Sequence, residues 1–164
     1  MPSGPLPRPA PLLDAEGLER FLEDVRISRH RLVFTNGCFD LIHPGHIFSL
    51  MEARALGDRL LVGLNSDESV RRLKGEGRPL IPELGRVAIL GALRCVDAVT
   101  LFDEATPRDL ILRVRPQLLV KGGDYRQDEI VGAADLHMWG GRLEILPYRK
   151  GYSTSDLMER VRNL

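Results

Sequence analysis

The 164-residue sequence lacks the features that mark several protein classes. None of its apolar runs approaches the roughly 20 residues that a membrane-spanning helix needs, and no charged segment followed by an apolar stretch opens the chain. Its two cysteines, Cys38 and Cys95, are too few and too far apart to indicate a disulfide framework or a zinc cluster. These absences predict a cytoplasmic protein with no membrane contact and no metal held by the chain.

The sequence also lacks a net charge. It contains 23 Lys and Arg residues against 23 Asp and Glu residues, so no overall basic field is available to hold a nucleic acid. With 43% hydrophobic and 28% charged residues, the composition is that of one ordinary globular domain. We therefore expect one main domain that binds small molecules rather than nucleic acid.

Two common phosphate-binding motifs are absent as well. The chain has neither the G-x-G-x-x-G turn of dinucleotide-dependent oxidoreductases nor the G-x-x-x-x-G-K-[ST] loop of many ATPases. If the protein acts on phosphates, a different arrangement of residues must bind them.

The order of its segments predicts an α/β fold. Residues 1–13 are rich in proline and predict a flexible tail, whereas 14–27 have the spacing of an amphipathic helix that begins the main domain, 14–164. Five short apolar runs follow, with helical patterns between them; the runs begin at Leu32, Leu60, Val96, Leu118 and Leu143. This alternation predicts a parallel sheet with helices on both faces and a ligand beyond the carboxyl ends of the strands. In the first of these helices, the spacing predicts one apolar stripe: Ile47, Leu50, Met51 and Ala55.

The turn after the first apolar run is the most informative segment. Residues 35–40 read TNGCFD, and HPGH at 43–46 opens the next helix. A glycine at position 37 lets the backbone approach a ligand, and free N–H groups at a helix start favour an anion such as phosphate. His43 and His46 are three residues apart, so both can donate to one anion. The alternative is that one histidine caps the helix while the other packs.

The segment GCFDLIHPGH, residues 37–46, resembles the G-x-F-D-x-x-H-x-G-H signature of the nucleotidyltransferase superfamily that contains the cytidylyltransferases. The stretch GYSTS at 151–155 resembles the second superfamily signature, which opens the last helix. Further stretches look like the adenylyltransferase domain of bacterial heptose biosynthesis, and the similarity covers about residues 30–162; these stretches are Asn65–Asp67, Leu73–Gly75, Gly77–Pro79 and Lys121–Tyr125. A sugar-kinase domain precedes this unit in some members, so the short N-terminal segment here suggests a stand-alone form.

The resemblance implies a Rossmann-like, doubly wound domain with a five-stranded parallel sheet in the order 3-2-1-4-5. It also implies that D-glycero-D-manno-heptose 1-phosphate attacks the α-phosphorus of ATP, giving ADP-heptose and pyrophosphate for lipopolysaccharide or other cell-surface heptose synthesis. Mg²⁺ would be carried by the ATP phosphates, and a homodimer is expected. The alternatives are a cytidylyltransferase that uses CTP and a polyol or sugar phosphate, or a non-catalytic module that senses nucleotides.

The resemblance further assigns roles to particular residues. The catalytic candidates are His43, His46 and Lys74. The nucleotide-binding candidates are Asn36, Gly37, Cys38, Phe39, His43, His46, Lys121, Gly122, Asp124, Ser153, Thr154 and Ser155. The candidates for binding the sugar phosphate are Asp40, Asp67, Lys74, Arg78 and Arg86.

Most of the charged candidates also have a structural interpretation. Asp40 can cap a helix or orient a histidine, and Asp67 can cap the helix after the second strand. Lys74 and Arg78 can belong to a solvated helix face, and Arg86 can form an ordinary surface ion pair. Asp124 can belong to a tight surface turn.

Three other positions need an explanation. Cys38 is not expected to be a nucleophile, because an in-line displacement requires no thiol. Trp139 suits packing or a subunit contact as well as substrate binding. Met158 stands where many superfamily members have a basic residue; the candidates to replace that charge are Arg149, Lys150 and Arg160.

Overall fold

Six parallel strands form one sheet in the described part of the computed structural model, which comprises residues 8–123, 125–147, 151 and 154–163. The strands are β1 (Leu12–Leu13), β2 (Leu32–Gly37), β3 (Arg59–Asn65), β4 (Ala98–Phe102), β5 (Leu118–Gly122) and β6 (Arg142–Leu146). Their order across the sheet is β1-β4-β3-β2-β5-β6, and every pair of neighbours is parallel. The predicted class, a doubly wound α/β domain, is confirmed.

Helices connect the strands on both faces of the sheet. They are α1 (Ala15–Ile27), α2 (Pro44–Ala55), α3 (Asp67–Lys74), α4 (Glu83–Gly91), α5 (Arg108–Val114) and α6 (Thr154–Arg162). The amphipathic spacing at 14–27 therefore does form a helix, which Asp14 caps by accepting a hydrogen bond from the Gly17 N–H at 2.7 Å.

The order 3-2-1-4-5 that the family resemblance implies for the five main strands is confirmed, but the number of strands is wrong. The sixth strand is β1, whose residues Leu12 and Leu13 were predicted to belong to the flexible tail. They pair with β4 because the edge of a sheet tolerates proline: the Pro11 carbonyl accepts from the Val99 N–H at 3.0 Å, which needs no N–H from Pro11. A strand of two residues has no periodicity that a sequence pattern can reveal.

The connection between β5 and β6 differs from the expected α-helix. It consists of two 3₁₀-helices, Gln127–Glu129 and Ala133–Trp139. Gly132 and Gly140, on either side of the second, have positive φ angles of 84° and 76°. Trp139 packs against the core, and its Nε1 donates to the Pro116 carbonyl at 2.9 Å, so its ring is explained by packing.

Two apolar cores lie on opposite faces of the sheet because successive strand residues point to opposite sides. Within β2, Phe34 faces the core formed with α1 and α5, while Val33 faces the core formed with α2 and α4. The buried residues of α2 are Leu50 and Ala53, whereas Met51 is 56% exposed and Ala55 is exposed too. The stripe predicted for this helix is therefore wrong in part: α2 is rotated so that Ala53 replaces Met51 and Ala55 at the sheet.

Gly63 in β3 gives a test of the packing between the sheet and α5. A Cβ added there lies 2.7 Å from the Phe34 ring and 3.1 Å from Leu110 Cδ2, both in a buried core. We expect Gly63→Ala to lower the free energy of unfolding by about 1–3 kcal/mol, because overpacking forces these side chains to move. Urea denaturation measures the loss. The control is Gly77→Ala, where no atom lies within 4 Å of the added carbon; equal stability of the two variants contradicts the expectation.

Candidate active site

A cavity of about 170 Å³ opens at the carboxyl ends of β2, β5 and β6, beside the start of α2. This is the edge where the sequence predicts a ligand. The polar or glycine positions that line the cavity are Thr35, Asn36, Gly37, Cys38, His46, Ser49, Lys121, Gly122 and Tyr125. A larger groove of about 770 Å³ lies between α1 and the end of β4, but none of the candidate site residues lines it.

The turn after β2 is built around the Phe39 ring. Phe39 has a φ of 44°, which is uncommon for a residue with a side chain. Its ring lies 3.1 Å from where a Cβ on Gly37 would be, so a larger residue at position 37 would displace the ring. The same ring contacts His46, with 5.3 Å between ring centroids. Gly37 is thus required for ring packing that supports His46.

The two histidines of the turn lie stacked, with 3.8 Å between ring centroids. The backbone N–H of His43 is 3.4 Å from His46 Nδ1, so Nδ1 accepts and Nε2 carries the proton. Burial, and to a smaller extent the neighbouring His43, lowers the pKa of His46 to about 4. His46 is therefore a neutral hydrogen-bond donor at neutral pH, and His43 is buried behind it.

Lys121 brings a positive charge to the other side of the cavity. Its Nζ donates to the Asn36 carbonyl at 3.3 Å, and no carboxylate in the described residues pairs with it. Burial lowers the pKa of Lys121 to about 8. A half-buried ammonium group with one neutral acceptor is suited to an anionic ligand.

Cys38, in the same wall, remains protonated at neutral pH. Burial raises the pKa of its thiol, and nearby Lys74 and Arg86 only partly offset that effect. Its Sγ lies 3.8 Å from Asn65 Oδ1. The thiol therefore lacks the low pKa of a nucleophile, which agrees with the expectation from the sequence.

Arg86 lies outside the cavity lining. Its side chain has no exposed surface, and its guanidinium donates to the carbonyls of Cys38, Asn65 and Ile81 at 2.7, 2.8 and 3.0 Å. It also pairs with the Asp67 carboxylate at 2.8 Å. Neither sequence interpretation describes it, since a buried guanidinium with these partners forms no surface ion pair and presents no face to a phosphate.

Asp40 neither caps α2 nor orients a histidine. It is buried, and its Oδ1 accepts from the backbone N–H groups of Leu80 and Ile81 at 2.8 and 3.0 Å. Its Oδ2 accepts from Arg78 Nε at 2.5 Å. The carboxylate thus holds the segment between α3 and α4 against the signature turn, the turn after β2 that carries the signature at residues 37–46.

The two remaining charged candidates lie on α3. Ser66 caps this helix by accepting from the Ser69 N–H at 3.0 Å, so the expected capping by Asp67 is wrong. Lys74 is the exposed last residue of the helix and has no hydrogen bond or ion pair with the described residues. It is followed by Gly75, whose φ of 95° favours glycine.

Some predictions concern positions that the structure describes incompletely. Asp124 and Ser153, and the side chain of Ser155, lie outside the described residues, as do Arg149 and Lys150. Thr154 is the half-buried first residue of α6.

The sequence analysis missed Ser49 among the residues that line the cavity. It is three residues after His46 and therefore on the same face of α2, a spacing that could have identified it. Gly122 permits this approach, because a Cβ there would lie 2.9 Å from Ser49 Oγ.

No helix in the described part of the chain is long and apolar enough to cross a membrane. Within these same residues, no three His, Cys, Asp or Glu side chains come together in a group that could hold a metal ion.

The doubly wound parallel sheet carries the histidine pair in its first strand-to-helix turn, beside a cavity lined by Lys121, as the nucleotidyltransferase signature in the sequence implies. The sequence matches the family described as Cytidylyltransferase-like over residues 34–160, and the chain belongs to this family.

Two relatives carry the name bifunctional protein HldE. The chain is 50% identical over 153 residues to that of Geotalea uraniireducens (strain Rf4) and 54% identical over 140 residues to that of Pelobacter propionicus (strain DSM 2379 / NBRC 103807 / OttBd1). The matches cover 93% and 85% of this chain but 31% and 29% of those proteins. The chain thus spans less than a third of the length of these relatives.

Two solved structures are similar in shape. The lipopolysaccharide core biosynthesis protein from Thermoplasma volcanium GSS1 has a TM-score of 0.60 and 28% identity, covering 76% of this chain and 99% of that one. Pantoate-beta-alanine ligase from Francisella tularensis has a TM-score of 0.65 over 94% of this chain and 73% of that one. Its 15% identity makes the second likeness one of fold alone.

The half-buried Lys121 should make the free energy of unfolding depend on pH. Between pH 8 and 10.5, Lys121 is deprotonated in the folded protein but still protonated in the unfolded chain. Because the unfolded state binds the extra proton, the free energy of unfolding rises with pH over that interval. We expect Lys121→Met to remove this contribution and to be more stable than the parent at pH 7, by roughly 2–3 kcal/mol. Denaturation at several pH values measures the difference.

The matched control is Lys74→Met, which removes an exposed lysine and should leave the stability curve parallel to that of the parent. If Lys121→Met is less stable than the parent at pH 7, the hydrogen bond from Lys121 to the Asn36 carbonyl outweighs the cost of withdrawing the charge from water, and the expectation is wrong.

Proposed function

We propose that the chain transfers AMP from ATP to D-glycero-D-manno-heptose 1-phosphate, forming ADP-heptose and releasing pyrophosphate. The observation that carries this proposal is the convergence of His46 and Lys121 on one cavity at the start of α2. A neutral donor and an ammonium group without a carboxylate partner among the described residues are suited to the charge of a nucleoside triphosphate.

The choice of sugar and base rests on similarity. The stretches Gly77–Pro79 and Lys121–Tyr125 resemble the adenylyltransferase domain of bacterial heptose biosynthesis. The relatives named bifunctional protein HldE, and the solved structure named as a lipopolysaccharide core biosynthesis protein, support the same assignment. A cytidylyltransferase acting on another phosphate is the alternative that the family name leaves open.

The reaction is an in-line displacement. An oxygen of the sugar phosphate forms a bond to the α-phosphorus while the bond from that phosphorus to the bridging oxygen breaks, and the electron pair leaves with pyrophosphate. Catalysis depends on position and charge, because no covalent intermediate with the protein is needed. His46 donates to the α-phosphoryl oxygens through Nε2, the nitrogen left free by the hydrogen bond at Nδ1.

The other candidates bind the ends of the two substrates. We assign Lys121, Asn36 and Gly122, which line the cavity, to the nucleotide. Lys74, which has no partner within the described residues, is available to the attacking sugar phosphate. We place the β- and γ-phosphates at the start of α6, at Thr154 together with Ser153 and Ser155.

A Mg²⁺ ion bound to the triphosphate would neutralise part of its charge. Asp40, the carboxylate of the signature turn, already accepts from two backbone N–H groups and from Arg78. These residues therefore fit an ion that arrives with ATP rather than one held by protein carboxylates.

The proposal is tested by pyrophosphate release measured over four nucleoside triphosphates and several sugar 1-phosphates. We expect release to be fastest with ATP and the heptose phosphate. A preference for CTP would instead support the cytidylyltransferase alternative. Tight ATP binding without release in any combination would support the nucleotide-sensing module.

Three substitutions of His46 separate its donor role from helix capping. Asparagine can place an oxygen near the position of Nδ1, which accepts from His43, whereas glutamine can place an N–H near Nε2. We expect His46→Ala and His46→Asn to lower kcat by roughly 100-fold or more, because the donor to the phosphoryl oxygens is lost. His46→Gln should retain more activity than either. Full activity of His46→Asn would show that the ring serves only to cap the helix.

A further inference from the structure

Two arginines near the signature turn differ in how well their donors are satisfied. Arg86 donates to three carbonyls and a carboxylate and has no exposed surface. Arg78 makes one strong hydrogen bond, to the Asp40 carboxylate, and its Nη1 lies 2.8 Å from the sulfur of Met158. A thioether is a weak acceptor, so Arg78 keeps donors that a better acceptor would take.

The position of Arg78 links the turn after β2 to α6. Asp40 precedes α2 by four residues, and Met158 is the fifth residue of α6, one turn after its first residue. Because one guanidinium contacts both side chains, the turn after β2 and the N-terminal half of α6 lie within the span of a single side chain. The Arg78 side chain is 17% exposed, so it is mostly withdrawn from water yet still reachable.

Asp40 contacts Arg78 through only one of its two oxygens. Its Oδ1 is held by the N–H groups of Leu80 and Ile81, and Oδ2 accepts from Arg78 Nε. The carboxylate can therefore hold both the chain segment and Arg78 Nε while the terminal nitrogens of Arg78 bind another anion. No acceptor in the described part of the chain occupies the second terminal nitrogen of Arg78.

We propose that Arg78 binds the β- and γ-phosphates that leave as pyrophosphate. Met158 gives α6 no positive charge at this position, and Arg78 supplies one from the segment between α3 and α4. This rests on the proposed function, which places those phosphates at the start of α6. A planar guanidinium offers two parallel donors that match phosphate oxygens, and the phosphate replaces the weak sulfur contact. Lys74 has no described contact with α6 and is left to the sugar phosphate.

The reverse reaction, in which pyrophosphate and ADP-heptose form ATP and heptose 1-phosphate, isolates this role. We expect Arg78→Gln to raise the KM for pyrophosphate by about tenfold to a hundredfold, because a charge-assisted pair of hydrogen bonds is lost. The KM for ADP-heptose, and the forward KM for heptose 1-phosphate, should change little. The matched control is Arg71→Gln, an exposed arginine paired with Glu68. If the KM for heptose 1-phosphate rises and that for pyrophosphate does not, the assignment is wrong.

A variant with the positive charge on α6 instead of at position 78 distinguishes a role of the Arg78 charge in binding from a structural role of its side chain. In the double variant Arg78→Gln with Met158→Lys, the cation returns to the same junction from the helix. We expect this variant to recover at least about tenfold of the lost affinity for pyrophosphate. A double variant no better than Arg78→Gln alone would show that Arg78 positions the segment and does not bind the leaving group. Melting temperatures identify any variant that fails to fold.

Calorimetry of pyrophosphate binding keeps this inference separate from the choice of substrate. If the parent makes no ADP-heptose, the proposed function fails, but binding of pyrophosphate can still be compared between the parent and Arg78→Gln. Equal binding by both proteins would overturn the role of Arg78. Weaker binding by the variant supports it, whichever sugar phosphate the protein uses.

Discussion

The buried guanidinium of Arg86 holds together the segments that form the carboxyl edge of the sheet. Its donors join the end of β2 at Cys38, the end of β3 at Asn65 and the segment before α4 at Ile81. Parallel strands leave such carbonyls without partners where the chain turns away, and burying them unpaired is costly. The ion pair with Asp67 compensates for burying the positive charge. The positions of both Cys38 and the α3 start follow from this one side chain.

The cations around the site divide into two groups according to their partners. Arg86 is fully engaged within the protein and so fixes the geometry of the turn. Lys121 has one carbonyl acceptor and Lys74 none in the described residues, while Arg78 pairs with Asp40 through Nε but has only a weak acceptor for its terminal nitrogens. These three are the cations that we assign to the anionic substrates. A cation that is shielded from water and lacks hydrogen-bond acceptors destabilises the folded protein slightly. An anionic ligand supplies those acceptors when it binds and so removes the cost. The distinction cannot be read from the residue type, since arginine serves in both groups.

The sequence predicted what depends on local order and missed what depends on distant contacts. The positions of the five main strands and of the His43–His46 turn follow from apolar runs and from a motif, both visible along the chain. The order of those strands across the sheet came from the family resemblance and not from the runs. The burial of Arg86 has no such signal, because an arginine in a helix is ordinarily exposed and its partners lie up to 48 residues away. The two-residue strand β1 and the rotation of α2 were missed for the same reason. The first depends on hydrogen bonds with β4, and the second depends on packing against the face of the sheet.

Packing beneath the turn also determines the chemistry of His46. Gly37 allows the Phe39 ring to lie under the turn, and the ring, together with stacked His43, excludes water from the imidazole. Loss of water lowers the pKa of His46 to about 4, so the ring stays neutral in the absence of substrate. A neutral ring whose Nδ1 is fixed by the His43 N–H has a single remaining donor, and its direction is set by the fold before any nucleotide arrives. Such a donor needs no reorganisation when negative charge develops on the phosphoryl oxygens, which is the condition under which a hydrogen bond contributes most to catalysis.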